Sequence, residues 1–399
     1  MSENSEVMAA VIGSQRAAFN VPAEIAYFNT ASLAPQLHAV RAAGLAALER
    51  RGRPWMISAS DWFVDAERLR SLFAAIIGAT ADGVALVPAS SYGLAVAARN
   101  LPLRAGERVL VLAEEYPSGI YTWRAAAGRS GAEVLTVVRE RAQSWTAAVL
   151  PALDERVAIV SVPNVHWTDG ALLDLVAIAQ RTREVGARLV IDGSQSVGAV
   201  PLDMRELRPD FLVTVGYKWL LGPLSVGYLY VAEEHRDGEP LEENWINRAG
   251  SEDFAALVDY SDDYQPGARR FDSGQRTKFE LVPMAITALE QILAWQVPRI
   301  AAALASRTSD IAQQVSRLGL EVSTPDAERG PHMLGVRLPD TARPKIPAAL
   351  AHANCFAALR GSALRISPHL HTTDEDVRRL LSGLAHAIEP TSRGPLVSR

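Results

Sequence analysis

The stretch RLVIDGSQSVGAVPLDMRELRPDFLVTVGYKWLLGPLSVGYLYV, residues 188–231, carries three apolar runs: RLVID (188–192), FLVTV (211–215) and VGYLYV (226–231). None alternates apolar with polar residues. All three read as strands buried on both faces. The first closes on Asp192 and the second leads into Tyr217 and Lys218. Lysine is among the side chains least often buried without a partner, so Lys218 between two buried strands demands a reason. The 26 positions from Asp192 to Lys218 (218 − 192) leave room for a loop, a short helix and one further strand.

Runs of the same kind lie upstream: VALV (84–87), VLVL (109–112), VLTVV (134–138) and VAIVSV (157–162). Helical patterns such as SYGLAVAARNL, GIYTWRAAAGRSG and LLDLVAIAQRTREVG separate them, the last two ending in glycine as helices often do. Strand and helix in alternation predict an α/β fold with a mostly parallel sheet covered on both sides. After about residue 275 the rhythm changes. FELVPMAITALEQILAWQV opens a helical region reaching about residue 318, followed by a strand pair (LEVSTP, HMLGVRLP) and a strand ALRISP. TTDEDVRRLLSGLAHAI closes as a helix, with Thr373 and the acidic residues after it as the start signal. This region reads as a smaller α+β domain, and the tail EPTSRGPLVSR as frayed.

With 399 residues the chain is long enough for two domains. A net charge of −5 gives no reason to expect nucleic acid or an anionic membrane as partner. The single cysteine, Cys355, excludes an internal disulfide framework and a cysteine-based zinc site, and no metal site is implied. Without a signal peptide or a transmembrane-length apolar run, the expectation is a soluble, cytoplasmic protein. No G-x-G-x-x-G or Walker-type loop follows any strand, which argues against nucleotide binding.

Ligands of open α/β sheets sit beyond the carboxyl ends of the strands. There the sequence places Ser90 and Ser91, Tyr116, Asn164 with His166 and Trp167, Asp192 with Ser194 and Gln195, and Tyr217 with Lys218. Taken singly, each has an ordinary reading. Ser90 reads as a helix cap as readily as a phosphate ligand, Tyr116 as packing, Asp192 as a turn residue, His166 as a structural histidine and Arg365 as a surface charge. Their convergence on one sheet edge is the informative feature.

DGSQSVGAVPLDM followed by VTVGYKWLLGP resembles the class V aminotransferase family, fold type I enzymes that use pyridoxal 5′-phosphate. The resemblance extends to YFNTASLAP, RFDSGQRTKFELVPMAITAL and LRISPHLHTTDEDVRRLLSGL. It implies an N-terminal arm (1–30), a large cofactor-binding domain (31–275) with a seven-stranded sheet, and a small C-terminal domain (276–399). It further implies that Lys218 forms the internal aldimine and moves the Cα proton, and that Asp192 pairs with the pyridine nitrogen. Gln195 and Asn164 would contact the phenolic oxygen, and Tyr116 would stack on the ring. Ser90, Ser91 and Tyr217 would hold the phosphate, with Gly274 and Gln275 approaching from a second subunit of a homodimer. Arg365 would take the substrate carboxylate, a task suited to its planar fork. Arg360, Asn29, Ser32 and His166 complete the substrate side.

Desulfurases of this family carry a nucleophilic cysteine shortly before the C-terminal arginine. Here only residues 361–364 separate Arg360 from Arg365, none is cysteine, and Cys355 sits in an apolar context. VHWTDG with GYKWLLGP resembles the branch with isopenicillin-epimerase-like, kynureninase-like and C–S lyase members. The expectation is an enzyme acting on an amino acid through Cα deprotonation, first as a β-eliminating lyase. Transamination and epimerisation are the alternatives, with a non-catalytic cofactor-binding relative as the alternative of another class.

Overall fold

The computed structural model describes residues 12–141 and 143–388. The tail read as frayed, from residue 389, lies outside them, as do residues 1–11. A two-residue strand, β1 (Ala26–Tyr27), and helices α1 (His38–Arg51) and α2 (Val64–Ile76) come first. The seven apolar runs then form β2 (Val84–Val87), β3 (Arg108–Leu112), β4 (Glu133–Val137), β5 (Val157–Pro163), β6 (Arg188–Asp192), β7 (Phe211–Val215) and β8 (Gly227–Val231). They make one sheet in the order β2-β8-β7-β6-β5-β3-β4. Every neighbouring pair is parallel except those of β8, which runs against both β2 and β7. Interspersed are α3 (Ser90–Asn100), α4 (Pro117–Ser130), α5 (Trp145–Val149), α6 (Leu175–Glu184) and α7 (Met204–Leu207).

Period-two geometry sends alternate residues of one strand to opposite faces. Leu110 and Leu112 of β3 join one core while Val109 and Val111 join the other. Burial on both faces accounts for the uninterrupted apolar runs. Strand β4 departs from that expectation: only Val137 of it is buried. It is one edge of the sheet; β2, the other edge, is buried because the Asp272–Ser273 segment runs beside it, the Ser273 amide donating to Leu86 O at 3.0 Å.

The predicted helical region beyond residue 275 begins at Val282 and is two helices, α8 (Val282–Trp295) and α9 (Val297–Arg317). They part at Gln296, which adopts φ 65°. The remaining elements are β9 (Glu321–Val322), β10 (Leu334–Arg337), α10 (Ile346–His352), β11 (Cys355–Phe356), β12 (Ala358–Arg360), β13 (Ala363–Ile366) and α11 (Asp374–Ile388). A four-stranded antiparallel sheet, β12-β13-β10-β9, packs against α9 and α11 around its own core. Thr373 starts α11 as expected: its Oγ1 accepts the Asp376 amide at 3.2 Å while Asp376 Oδ2 accepts the Thr373 amide at 2.9 Å. Strand β1 pairs in parallel with β11 as a separate two-stranded sheet, and Asn29 bridges Ser367 just past β13. No helix among the described residues is long and apolar enough to cross a membrane.

A buried ionic knot joins the long segment after β8 to the large sheet. Asp272 accepts two bonds from Arg70, at 3.1 and 2.7 Å, and one from the Leu86 amide of β2 at 2.6 Å. Arg276 Nη1 approaches the same carboxylate at 3.1 Å, and all three side chains are fully buried. Removing one member of a buried charge set leaves the others uncompensated, at about 3–5 kcal/mol. Asp272→Asn keeps the shape and removes the charge, so it should lower unfolding free energy by roughly that amount. Chemical denaturation of the two proteins checks this; a loss below about 1 kcal/mol would place the counter-charge elsewhere.

Candidate active site

Strand β7 ends at Val215 and the chain returns into β8 through residues 216–226. The Gly216 amide donates to Val226 O at 2.8 Å, and the Gly222 amide to Gly216 O at 2.8 Å. A Cβ on Gly216 would lie 2.7 Å from Val226 O, so the turn closes only around glycine. Lys218 is held in this turn, buried at 8% exposure. Burial lowers its amine pKa to about 8; Asp192 opposes the shift and Arg365 and Arg360 add to it. A substantial fraction of the amine is therefore neutral near pH 8, as a proton acceptor must be.

Lys218 lines a cavity of about 210 Å³ together with Ser90, Ser91, Tyr116, Asp192, Gln195 and Tyr217. With Trp167 and Ser194, nine of the residues named from sequence thus line one cavity. Asp192 closes β6, in register with Val213 of β7, and its Oδ1 accepts the Ser194 amide at 2.9 Å. The lysine Nζ lies 5.6 Å from the Tyr116 ring centroid and 5.8 Å from that of Tyr217. Tyr116 stands edge-on to Trp167 at 5.6 Å. Gln195 is engaged at both ends, donating to Ala31 O at 3.0 Å and accepting from Trp219 Nε1 at 2.9 Å.

Helix α3 aims its start at the cavity. The capping reading of Ser90 does not hold: the N-cap is Ala89, and Ser90 and Ser91 are the first helical residues. Their backbone amides have no partner among the described residues. Helix α3 reaches the sheet closely because a Cβ on Gly93 would strike Val213 Cγ2 at 2.5 Å. Free amides and two hydroxyls at a helix start suit a phosphate. The buried Ser194 Oγ on the same wall also lacks a partner. An anion cradle at one end with a carboxylate and a desolvated amine beyond it fits pyridoxal phosphate.

In the small sheet, Arg365 of β13 is 1% exposed. Its Nη2 donates to Ser32 Oγ at 2.6 Å and to Asn29 Oδ1 at 3.4 Å, and its Nη1 to Trp167 O at 2.8 Å. Burial and the neighbouring Arg360 push its pKa down to about 9. Arg360 reaches the same Ser32 Oγ at 3.1 Å. His166 is satisfied by Thr168 at 2.8 Å and Ala113 O at 3.3 Å and stacks on Trp145, with Asp169 at 3.7 Å. Asn29, Ser32, Asn164, His166, Gly274, Gln275, Arg360 and Arg365 do not line the cavity. Asn164 is turned to Leu173 O at 3.3 Å, and the Gly274 amide donates to Glu242 at 2.7 Å. Cys355 is buried in β11, its pKa pushed up to about 12 by burial, and it lines neither this cavity nor its neighbour.

Sequence reasoning places Trp167 and Ser194 at this edge without giving them a role, and it does not name Glu115, the neighbour of Tyr116. It misses entirely a second layer behind Gln195. There His332 Nε2 bonds Gln195 O and its ring packs edge-on to Trp219 at 4.2 Å. His369 and His371 continue this layer toward Phe19. All three histidines are buried, and neither nitrogen of His369 has a partner among the described residues.

A model of the class V aminotransferase family matches residues 58–380. The uncharacterized aminotransferase YcbU of Bacillus subtilis (strain 168) is 27% identical over 333 residues, covering 80% of this chain and 83% of that protein. Isopenicillin N epimerase of Streptomyces clavuligerus is 28% identical over 339 residues, covering 79% and 82%. Two solved structures of C-DES superpose with TM-scores of 0.83 and 0.82 at 19% identity, covering 93% and 91% of this chain and 98% of theirs. One is a mutant with glycine covalently linked to the PLP cofactor. The other is the complex of this cystine C–S lyase with its reaction product, cysteine persulfide.

The histidine layer makes a prediction about acid. Burial holds His332 and His371 down to about 4, and His369 well below its ordinary 6.5. The unfolded chain therefore binds protons that the folded one refuses. The stability is complete above pH 6.5 and falls as the pH drops toward 4. Each histidine should cost about 1.4 kcal/mol per pH unit over that window. Denaturant titrations between those limits should show the slope, and His369→Phe should make it shallower. Equal slopes in both proteins would remove His369 from the account.

Proposed function

The chain belongs to the class V aminotransferase family, whose cofactor is pyridoxal 5′-phosphate, and we propose that it is a lyase that deprotonates an amino acid at Cα and expels a β-substituent, of the C–S cleavage type. The observation carrying the reading is the pairing, in one cavity, of a buried Lys218 amine with pKa about 8 and the carboxylate of Asp192. When bound, the cofactor supplies an electron-withdrawing ring that stabilises negative charge at the substrate Cα.

The chain's own residues do the rest. Ser90 and Ser91 would hold the phosphate through hydroxyls and amides, with Tyr217 beside them, while Asp192 would keep the ring nitrogen protonated. Tyr116 would cover the ring face, and Gln195, locked by Trp219 and Ala31, would set the far edge. Arg365 would grip the α-carboxylate, with Asn29 and Ser32 orienting its fork. Lys218 would then take the Cα proton and, by returning it to the leaving group, assist elimination. One feature favours loss of a β-substituent without a persulfide carried on the protein: Cys355 is buried and does not line the cavity. Transamination and epimerisation use the same residues, and the names of two relatives, an aminotransferase and an epimerase, support those alternatives.

Gly274 and Gln275 line none of this chain's own cavity, and we assign them to the site of a second copy. Exposed apolar side chains support a dimer: Trp55, Val258 and Tyr260 are 80, 77 and 96% exposed.

Borohydride should fix the cofactor to Lys218; the chain's other lysines are Lys278 and Lys345, and a peptide map placing the adduct on either overturns the site. Asp192→Asn should fold and retain cofactor yet lose turnover by roughly 3–4 kcal/mol, two to three orders of magnitude. An amino-acid panel read for keto acid, sulfide and α-deuterium exchange settles the reaction. Keto acid formed without an amino acceptor is the lyase outcome. Strict dependence on a keto-acid acceptor, or exchange alone, replaces it.

A further inference from the structure

Beside the cofactor cavity lies an outer cleft of about 520 Å³, and the two share Glu115 and Trp167 as common walls. A substrate side chain leaving the cofactor cavity past these residues enters the cleft. Most of the positive charge lining it is already spoken for: Arg139 pairs with Asp169, and Arg141 and Arg337 with Glu321. Arg360 is different. Its Nη1 rests on Leu359 O at 2.8 Å and its Nη2 on Ser32 Oγ at 3.1 Å. Its Nε is buried without a partner, and its guanidinium lies 5.6 Å from the Trp167 ring centroid. Among the described residues no carboxylate pairs with it. Glu115, whose carboxyl is pushed up to about 7 by burial, makes no ion pair with it either.

Arg365, equally without a carboxylate, shares the Ser32 hydroxyl with Arg360. Two guanidinium groups on one neutral oxygen repel each other and leave desolvated charge unpaired, which is costly unless a ligand brings the anions. One α-carboxylate satisfies one planar fork. The other fork is left over, and it is Arg360, not Arg365, that lines the outer cleft.

We propose that the substrate is an amino acid whose extended side chain ends in a second anionic group, a carboxylate in the simplest case, and that Arg360 binds that distal group in the outer cleft. This rests on Arg365 taking the α-carboxylate. Arg360 is then a specificity-determining residue that discriminates doubly from singly anionic substrates.

Unreactive acids isolate the binding step. Calorimetry on the cofactor-loaded protein compares glutarate and adipate with valerate and hexanoate. The dicarboxylates should bind about tenfold or more tightly, the strength of one charge-assisted contact. Arg360→Gln should abolish that preference while leaving monocarboxylate binding in place, and Arg365→Lys should weaken both classes. Equal binding of both classes to wild type, no binding of either, or an Arg360→Gln protein weakened alike for both overturns the proposal. Monocarboxylate binding untouched in Arg365→Lys would instead overturn the α-carboxylate role of Arg365. The two failures are thereby distinct.

Discussion

The turn joining β7 to β8 is the constraint from which the site follows. Because β8 runs against its neighbours, the chain must reverse at the carboxyl edge of the sheet. The reversal is so tight that carbonyl oxygens occupy the space of missing side chains: a Cβ on Gly227 would meet Thr214 O at 2.8 Å. That crowding fixes the backbone on both sides of Lys218. Asp192 sits one strand over, on a parallel neighbour in strict register. Amine and carboxylate are thus set by the sheet's own hydrogen bonds, the most rigid scaffold the molecule offers.

What the sequence discloses, and what it withholds, follows from range. Two-face burial imprints itself locally, so β6 and β7 are legible to the residue, and Asp192 and Lys218 stand out as charges at the ends of apolar runs. β4 misleads because it has the composition of an inner strand, and edge position alone does not decide the matter, since β2 at the other edge is buried beside the Asp272 segment. β1, β11 and β12 carry too few residues to show a period. The roles that escape are relational. That Ala89 rather than Ser90 caps α3 depends on one backbone angle. The histidine layer depends on α9 and the small sheet closing over Trp219. That Arg360 lacks a counter-charge is a statement about every carboxylate in the neighbourhood, and no window of sequence contains it.

The molecule places its uncompensated charge in different ways at its two buried arginine clusters. Around Asp272 each guanidinium meets a carboxylate, and the cluster is structural. Around Ser32, among the described residues, neither Arg360 nor Arg365 does.

The segment from Phe28 to Ala34 has a further consequence, for the order in which the protein comes into being. Ala31 donates from its amide to Ser367 Oγ, 336 positions away, and accepts from Gln195, 164 positions away; Ser32 meets Arg365 across 333 positions. Contacts of such span form late, because the intervening chain must first be ordered. During synthesis the large sheet can close, with Lys218 already in its turn, while the residues that orient Arg365 and Arg360 still await their partners on the ribosome. The nascent chain therefore acquires the turn that holds Lys218 before Ser32 meets the two arginines of the small sheet.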